Sequence, residues 1–162
     1  MRRISKYILL AMLFLNFAIS QNPEWDFDAT LYSENASLRN ISITIDGINQ
    51  QGGQLAAFVG NEIRALDSNG GDPSTEFFGY WNYELSVWSN VVSGEIVTFK
   101  FYDDINNIVI DLNETYNFST DDIIGDLYLP FNLTGTVVEC DPILGDINGD
   151  FELNIQDIIF IV

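Results

Sequence analysis

The 162 residues carry 24 acidic and six basic side chains, no histidine and one cysteine, for a formal charge of −18. A surface this negative repels nucleic acid and anionic lipid, since both are held by basic patches. Without histidine, the usual general base and commonest metal ligand are missing, which argues against zinc sites and Ser-His chemistry.

Residues 1–20 read as an export signal. Met1-Arg2-Arg3-Ile4-Ser5-Lys6 is basic, the run 7–19 is mostly apolar, and Ala18-Ile19-Ser20 places small residues at −3 and −1 of a cleavage site before Gln21. That apolar run is shorter than the roughly 20 residues a membrane span requires, so a secreted, extracellular or cell-surface protein is expected, with no membrane span after cleavage. Cleavage would leave three basic residues, Arg39, Arg64 and Lys100, against 24 acidic ones, a formal charge of −21. Saline or calcium-rich surroundings suit such a chain, because cations screen and bridge carboxylates.

Residues 21–138 are expected to form one mainly β domain. Ile41, Ile43 and Ile45 alternate with Ser42, Thr44 and Asp46, and Asp46-Gly47 opens a turn. Gly60-Asn61 between the runs 55–59 and 62–66 is a two-residue hairpin signal. The run 77–88 reads as a long aromatic strand or strand pair. Val97, Phe99 and Phe101 alternate with Thr98, Lys100 and Tyr102; after the turn Asp103-Asp104-Ile105-Asn106-Asn107 comes the run 108–112. Short strands separated by turn signals predict an antiparallel β-sandwich, Ig-like or carbohydrate-binding-module-like. The run Leu55-Ala56-Ala57-Phe58-Val59-Gly60-Asn61-Glu62-Ile63-Arg64-Ala65 also resembles a hairpin of β-sandwich modules in secreted bacterial proteins.

Taken as extended, 77–88 sends Phe77, Trp81, Tyr83, Leu85 and Val87 to one face, the natural core side. The other face carries Phe78, Tyr80 and Trp88 among Asn82, Glu84 and Ser86. Three rings beside amide and carboxylate groups make a candidate ligand-binding platform for a polysaccharide; the same rings also suit packing under loops. Asp67-Ser68-Asn69-Gly70-Gly71-Asp72 could close around a cation, although such residues build ordinary turns too. Asp103-Asp104 and Asp121-Asp122 read as solvated turns, and Arg64 as a partner for a carboxylate. Acidic residues are so common here that they do not mark a catalytic pair; the chain is read as non-enzymatic.

After a linker at 139–144, which holds Cys140 (paired elsewhere or simply free), comes Gly145-Asp146-Ile147-Asn148-Gly149-Asp150-Phe151-Glu152-Leu153-Asn154-Ile155-Gln156-Asp157. Counting Asp146 as 1, oxygen-bearing side chains stand at 1, 3, 5, 9 and 12, the spacing a calcium loop uses. Asp146, Asn148 and Asp150 would bind through side chains, Glu152 through its carbonyl and Asn154 through a water, with Asp157 closing the shell around Ca²⁺. Phe151 stands at position 6, usually a glycine with φ > 0, and a bulky residue there is costly. The apolar run 158–162 then reads as the first turn of a helix.

Loop followed by helix resembles the dockerin type I repeat, and the match covers 145–162. Dockerins pair two such repeats, so a single one predicts a fragment of a longer product. The resemblance implies a calcium-dependent anchoring element that docks on a cohesin-like or scaffold protein within an extracellular polysaccharide-degrading or cell-surface assembly. The alternatives are a carbohydrate-binding or adhesion module using the outer-face aromatics, and part of a glycoside hydrolase-associated protein.

Overall fold

Ala36 and Leu38 are buried at even positions and Ile41, Ile43 and Ile45 at odd ones, so one strand can hold all five inside only if an extra residue intervenes. The computed structural model, which describes residues 23–72 and 79–137, contains that device. Strand β1 (Glu34–Ile45) pairs antiparallel with β5 (Tyr83–Ser89), and its register slips between Leu38 and Ile41. Three steps along β1 face two along β5, a β-bulge. Asn40 takes up the bend at φ 49°, a left-handed conformation that Asn tolerates better than most residues.

The remaining strands are β2 (Ile48–Asn49), β3 (Gln54–Val59), β4 (Glu62–Asp67), β6 (Ser93–Asp103), β7 (Ile108–Ser119), β8 (Ile123–Ile124) and β9 (Phe131–Gly135). They form one curled mixed sheet in the order β2-β1-β9-β7-β6-β3-β4, with β5 and β8 also on β1. The β3–β4 hairpin turns at Gly60-Asn61 and the β1–β2 turn at Asp46-Gly47, both as the sequence predicts. The expectation of purely antiparallel pairing is too narrow: β8 and β9 run parallel to β1. They occupy the edge opposite β5, reached after β7 has turned back through Asp121, a residue at φ 62°.

Curling brings β4 alongside β5, where single bonds replace a ladder. Asp67 Oδ2 accepts from the Glu84 amide at 3.2 Å, and Arg64 Nη1 donates to the Trp88 carbonyl at 3.4 Å. Inside the curl lie Leu38, Ile41, Ile43, Leu55, Tyr83, Val87, Val97, Phe99, Phe101, Phe118 and Leu133. Tyr102, expected outside, is also buried. It faces away from the main core, edge-on to Trp25 at 6.5 Å, and Trp25 meets Phe58 at 5.8 Å. The N-terminal segment thus covers the outer face of β3 and β6. In the 103–107 turn, Asp103 accepts from the Ile105 and Asn106 amides and the Asn106 side chain. Partial burial pushes the Asp103 carboxyl up, but these bonds outweigh it and leave the group below the ordinary aspartate range. Among the described residues, no helix is long and apolar enough to cross a membrane.

Candidate functional site

Alternation along β5 buries Tyr83, Leu85, Val87 and Ser89 and turns Glu84, Ser86 and Trp88 outward. Asn35 and Ser37 of β1 lie opposite Trp88 and Ser86. The bulge then places Arg39 level with Glu84. Together with Phe27, residues Ser37, Arg39, Glu84, Ser86 and Trp88 line a groove of about 380 Å³ over the β1–β5 ladder.

Phe27 is held there by a chain of contacts. Its ring stacks on Tyr32 at 6.0 Å and 20°, and the Arg64 guanidinium lies 4.8 Å from the centre of the Tyr32 ring. The following 3-10 turn, Ala29–Leu31, is capped by Asp28, which accepts from the Thr30 amide at 2.9 Å. The Thr30 hydroxyl, and after it the Thr30 amide, hold the Asp28 carboxyl below its usual range. Asn90 ties the segment to the β5–β6 turn: its Oδ1 accepts from the Ser33 amide, and its Nδ2 donates to the Leu31 carbonyl, each at 3.2 Å.

Arg39 is exposed and forms no ion pair among the described residues, whereas Arg64 and Lys100 are both engaged with carboxylates. An unengaged guanidinium in so acidic a chain gives the groove a donor of its own. Among the described residues, Glu84 is the only carboxylate in the lining. What the groove can do is stack a flat apolar face on Trp88 or Phe27 while Ser37, Arg39, Glu84 and Ser86 take hydroxyls or a carboxylate.

Of the three aromatic candidates, Trp88 lines the groove, half-buried Tyr80 is not part of the lining, and Phe78 lies outside the described residues. Sequence reasoning missed Phe27 and Arg39. The only signal for the first was the alternation Trp25-Asp26-Phe27-Asp28; for the second it was the phase change around residue 39. The expected metal ligands Asp146, Asn148, Asp150, Glu152, Asn154 and Asp157 lie outside the described residues, as do the export signal and the linker. No protein-family model matches the chain, and neither the curated proteins nor the solved structures provide a match.

Proposed function

We propose that this is a secreted, non-catalytic β module anchored through a calcium-dependent dockerin-like loop at 145–162, serving an extracellular polysaccharide-degrading or cell-surface assembly. The observation that carries the reading is the coincidence of Asp146, Asn148, Asp150, Asn154 and Asp157 with loop positions 1, 3, 5, 9 and 12. Without metal, the four side-chain ligands Asp146, Asn148, Asp150 and Asp157 crowd three carboxylates together. Ca²⁺ neutralises them, orders the loop and fixes the direction of the 158–162 run, the element that would meet a cohesin-like partner. The curled sheet is read as an Ig-like or carbohydrate-binding-module-like sandwich. In support, its two ladders meet through a single pair, Leu112 with Gly135.

Calorimetric titration of the full chain with Ca²⁺ tests the anchor. Asp146→Ala is expected to lower the stoichiometry by one ion per chain and to abolish calcium-induced ordering seen by circular dichroism. Parent and variant titrating alike would remove the reading.

A second reading concerns the groove. Trp88 and Phe27 beside unengaged Arg39 favour binding of a sugar chain across β1 and β5. Losing one stacking ring is worth about 1.4 kcal/mol or more, so Trp88→Ala is expected to weaken binding to a captured polysaccharide at least about tenfold. An affinity gel across neutral and uronate-bearing polysaccharides provides the measurement. Equal retardation of parent and variant would assign binding elsewhere.

A further inference from the structure

We infer, building on the sugar-binding reading of the groove over β1 and β5, that its ligand is a uronate-bearing polysaccharide and that Arg39 selects the carboxylate. Three basic side chains occur among the described residues, and two are engaged: Arg64 pairs with Glu62 and Glu95, and Lys100 with Asp111. Arg39 is exposed, pairs with no carboxylate among those residues, and lines the groove with Ser37, Glu84, Ser86 and Trp88. In a chain of formal charge −18, a cation left without a partner on a concave surface calls for a ligand that supplies the anion. A guanidinium presents a planar fork that meets a carboxylate through two parallel hydrogen bonds. Sugar hydroxyls do not match that fork.

Glu84 stands level with Arg39 one strand across, yet no ion pair joins them. An exposed pair of that kind is worth little in any case. A ligand carboxylate that brings two bonds into a groove walled by Phe27 and Trp88 is the better partner. Glu84, which only accepts, and Ser37 and Ser86, which donate and accept, suit the hydroxyls of the same chain. Trp88 lies opposite Asn35, four residues along β5 from the level of Glu84. At about 3.3 Å per residue this is roughly 13 Å, so a ring stacked on Trp88 and an acid at Arg39 fall on different units of one chain.

The backbone beneath Arg39 is fixed before any ligand arrives. β1 is paired on both edges there, with β5 on one side and β8 on the other through Ser37–Ile123 and Leu38–Ile124. The Ser37 amide donates to the Asp122 carbonyl at 2.8 Å. Gly125, at φ 82°, packs so closely that a Cβ on it would collide with the Arg39 carbonyl oxygen. A fixed stem lowers the ordering cost of holding the guanidinium against an anion. The remaining charge of the chain repels a polyanion, but at about 0.15 M salt the screening length is only about 8 Å. Contact attraction then outlasts the long-range repulsion.

The test measures binding of the full chain, at that salt, to immobilised polygalacturonate, polymannuronate and polyglucuronate, each beside its carboxyl-reduced counterpart. Reduction keeps the ring and the linkage and removes the charge. A chelator is present, so that calcium cannot bridge uronates to the carboxylates of the protein. At least one uronan is expected to bind about tenfold tighter than its reduced form, the effect of one charge-assisted contact. Arg39→Gln is expected to make the two forms bind alike and to melt with the parent, since the side chain is exposed. Arg39→Lys keeps the charge without the fork and recovers only part of the preference, whereas Trp88→Ala weakens both forms. Binding with no preference for the charged form would overturn the inference, as would Arg39→Gln weakening both forms equally. A sulfated galactan held more tightly than every uronan would also overturn it, by assigning Arg39 to sulfate esters. Absence of binding to any of these polysaccharides is a different result: it removes the sugar-binding role of the groove itself.

Discussion

Phe99→Ala is expected to remove about 3–5 kcal/mol of folding stability, the range for truncating a fully buried aromatic. Phe99 is 1% exposed and sits on β6, which is paired on both sides, to β3 and β7. Its neighbour across the β3 ladder is Ala57, too small to move into the vacated space. Phe131 meets the Phe99 ring edge-on at 5.7 Å and 67°, so truncation also strips that ring of its partner. On the other side, the β7 register slips between the pairs Thr98–Thr115 and Lys100–Asp111. The ring therefore packs where the ladder is already irregular and has little freedom to close. A domain of this size has only about 5–15 kcal/mol in total, and each kcal/mol moves the midpoint by roughly 4–8 °C. A fall of more than ten degrees, and a urea midpoint shifted without a change in slope, are the expected readings. Ile105→Ala serves as the comparison, since Ile105 is 84% exposed at a turn and should stay within about 0.5 kcal/mol of the parent. Equal melting of the two variants would contradict the core described above.

How much of this was legible in the sequence depended on how local the cause was. Asp46-Gly47, Gly60-Asn61 and the 103–107 turn each carry their own signal, because the residues that need φ > 0 are Gly, Asn or Asp. Alternation in 97–101 and 83–87 named the inward faces correctly for the same reason. The β1 bulge left only a change of phase in the sequence. Residues 36–38 and 41–45 each alternate well, and only the register against β5 shows that one extra residue joins them. Parallel pairing of β8 and β9 has no local signature either, since two residues at Ile123–Ile124 cannot declare a direction. The groove divides in the same way. Trp88 followed from periodicity, whereas Phe27 and Arg39 reach it from distant segments. Asn82 sat on the polar side of the alternation yet is buried, because its backbone bridge to Asp72 draws it under the turn.

Arg64→Met is expected to cost about 2–3 kcal/mol and to loosen the groove without touching its surface. Arg64 is one of the few basic residues, and its side chain is 8% exposed. Its Nη1 and Nη2 donate to the two Glu95 oxygens at 3.3 and 3.2 Å, a fork that lysine cannot reproduce. Glu62 at 3.3 Å is 72% exposed, so that contact adds little. Breaking a fully buried pair from one side costs about 3–5 kcal/mol; two features lower the figure here. Glu95 keeps 23% of its surface in water and still accepts from Ser89 Oγ at 2.6 Å. Arg64 Nε is also buried without a partner, so methionine removes one unsatisfied donor while preserving the stem's packing. The guanidinium additionally supports the Tyr32 ring and the Trp88 carbonyl, and Tyr32 in turn carries Phe27. The same cation therefore touches a neighbour of each aromatic wall of the groove. Arg64→Met should broaden the near-ultraviolet tryptophan signal and weaken any ligand held through Trp88, while Arg64→Lys recovers only part of the stability. Pairing Arg64→Met with Glu95→Gln separates the two roles, because the double variant relieves the stranded carboxylate and regains stability but leaves Tyr32 unsupported. A double variant no more stable than Arg64→Met would mean that the ion pair was not the main source of the loss. An unchanged tryptophan signal in both would mean that the walls stand without Arg64.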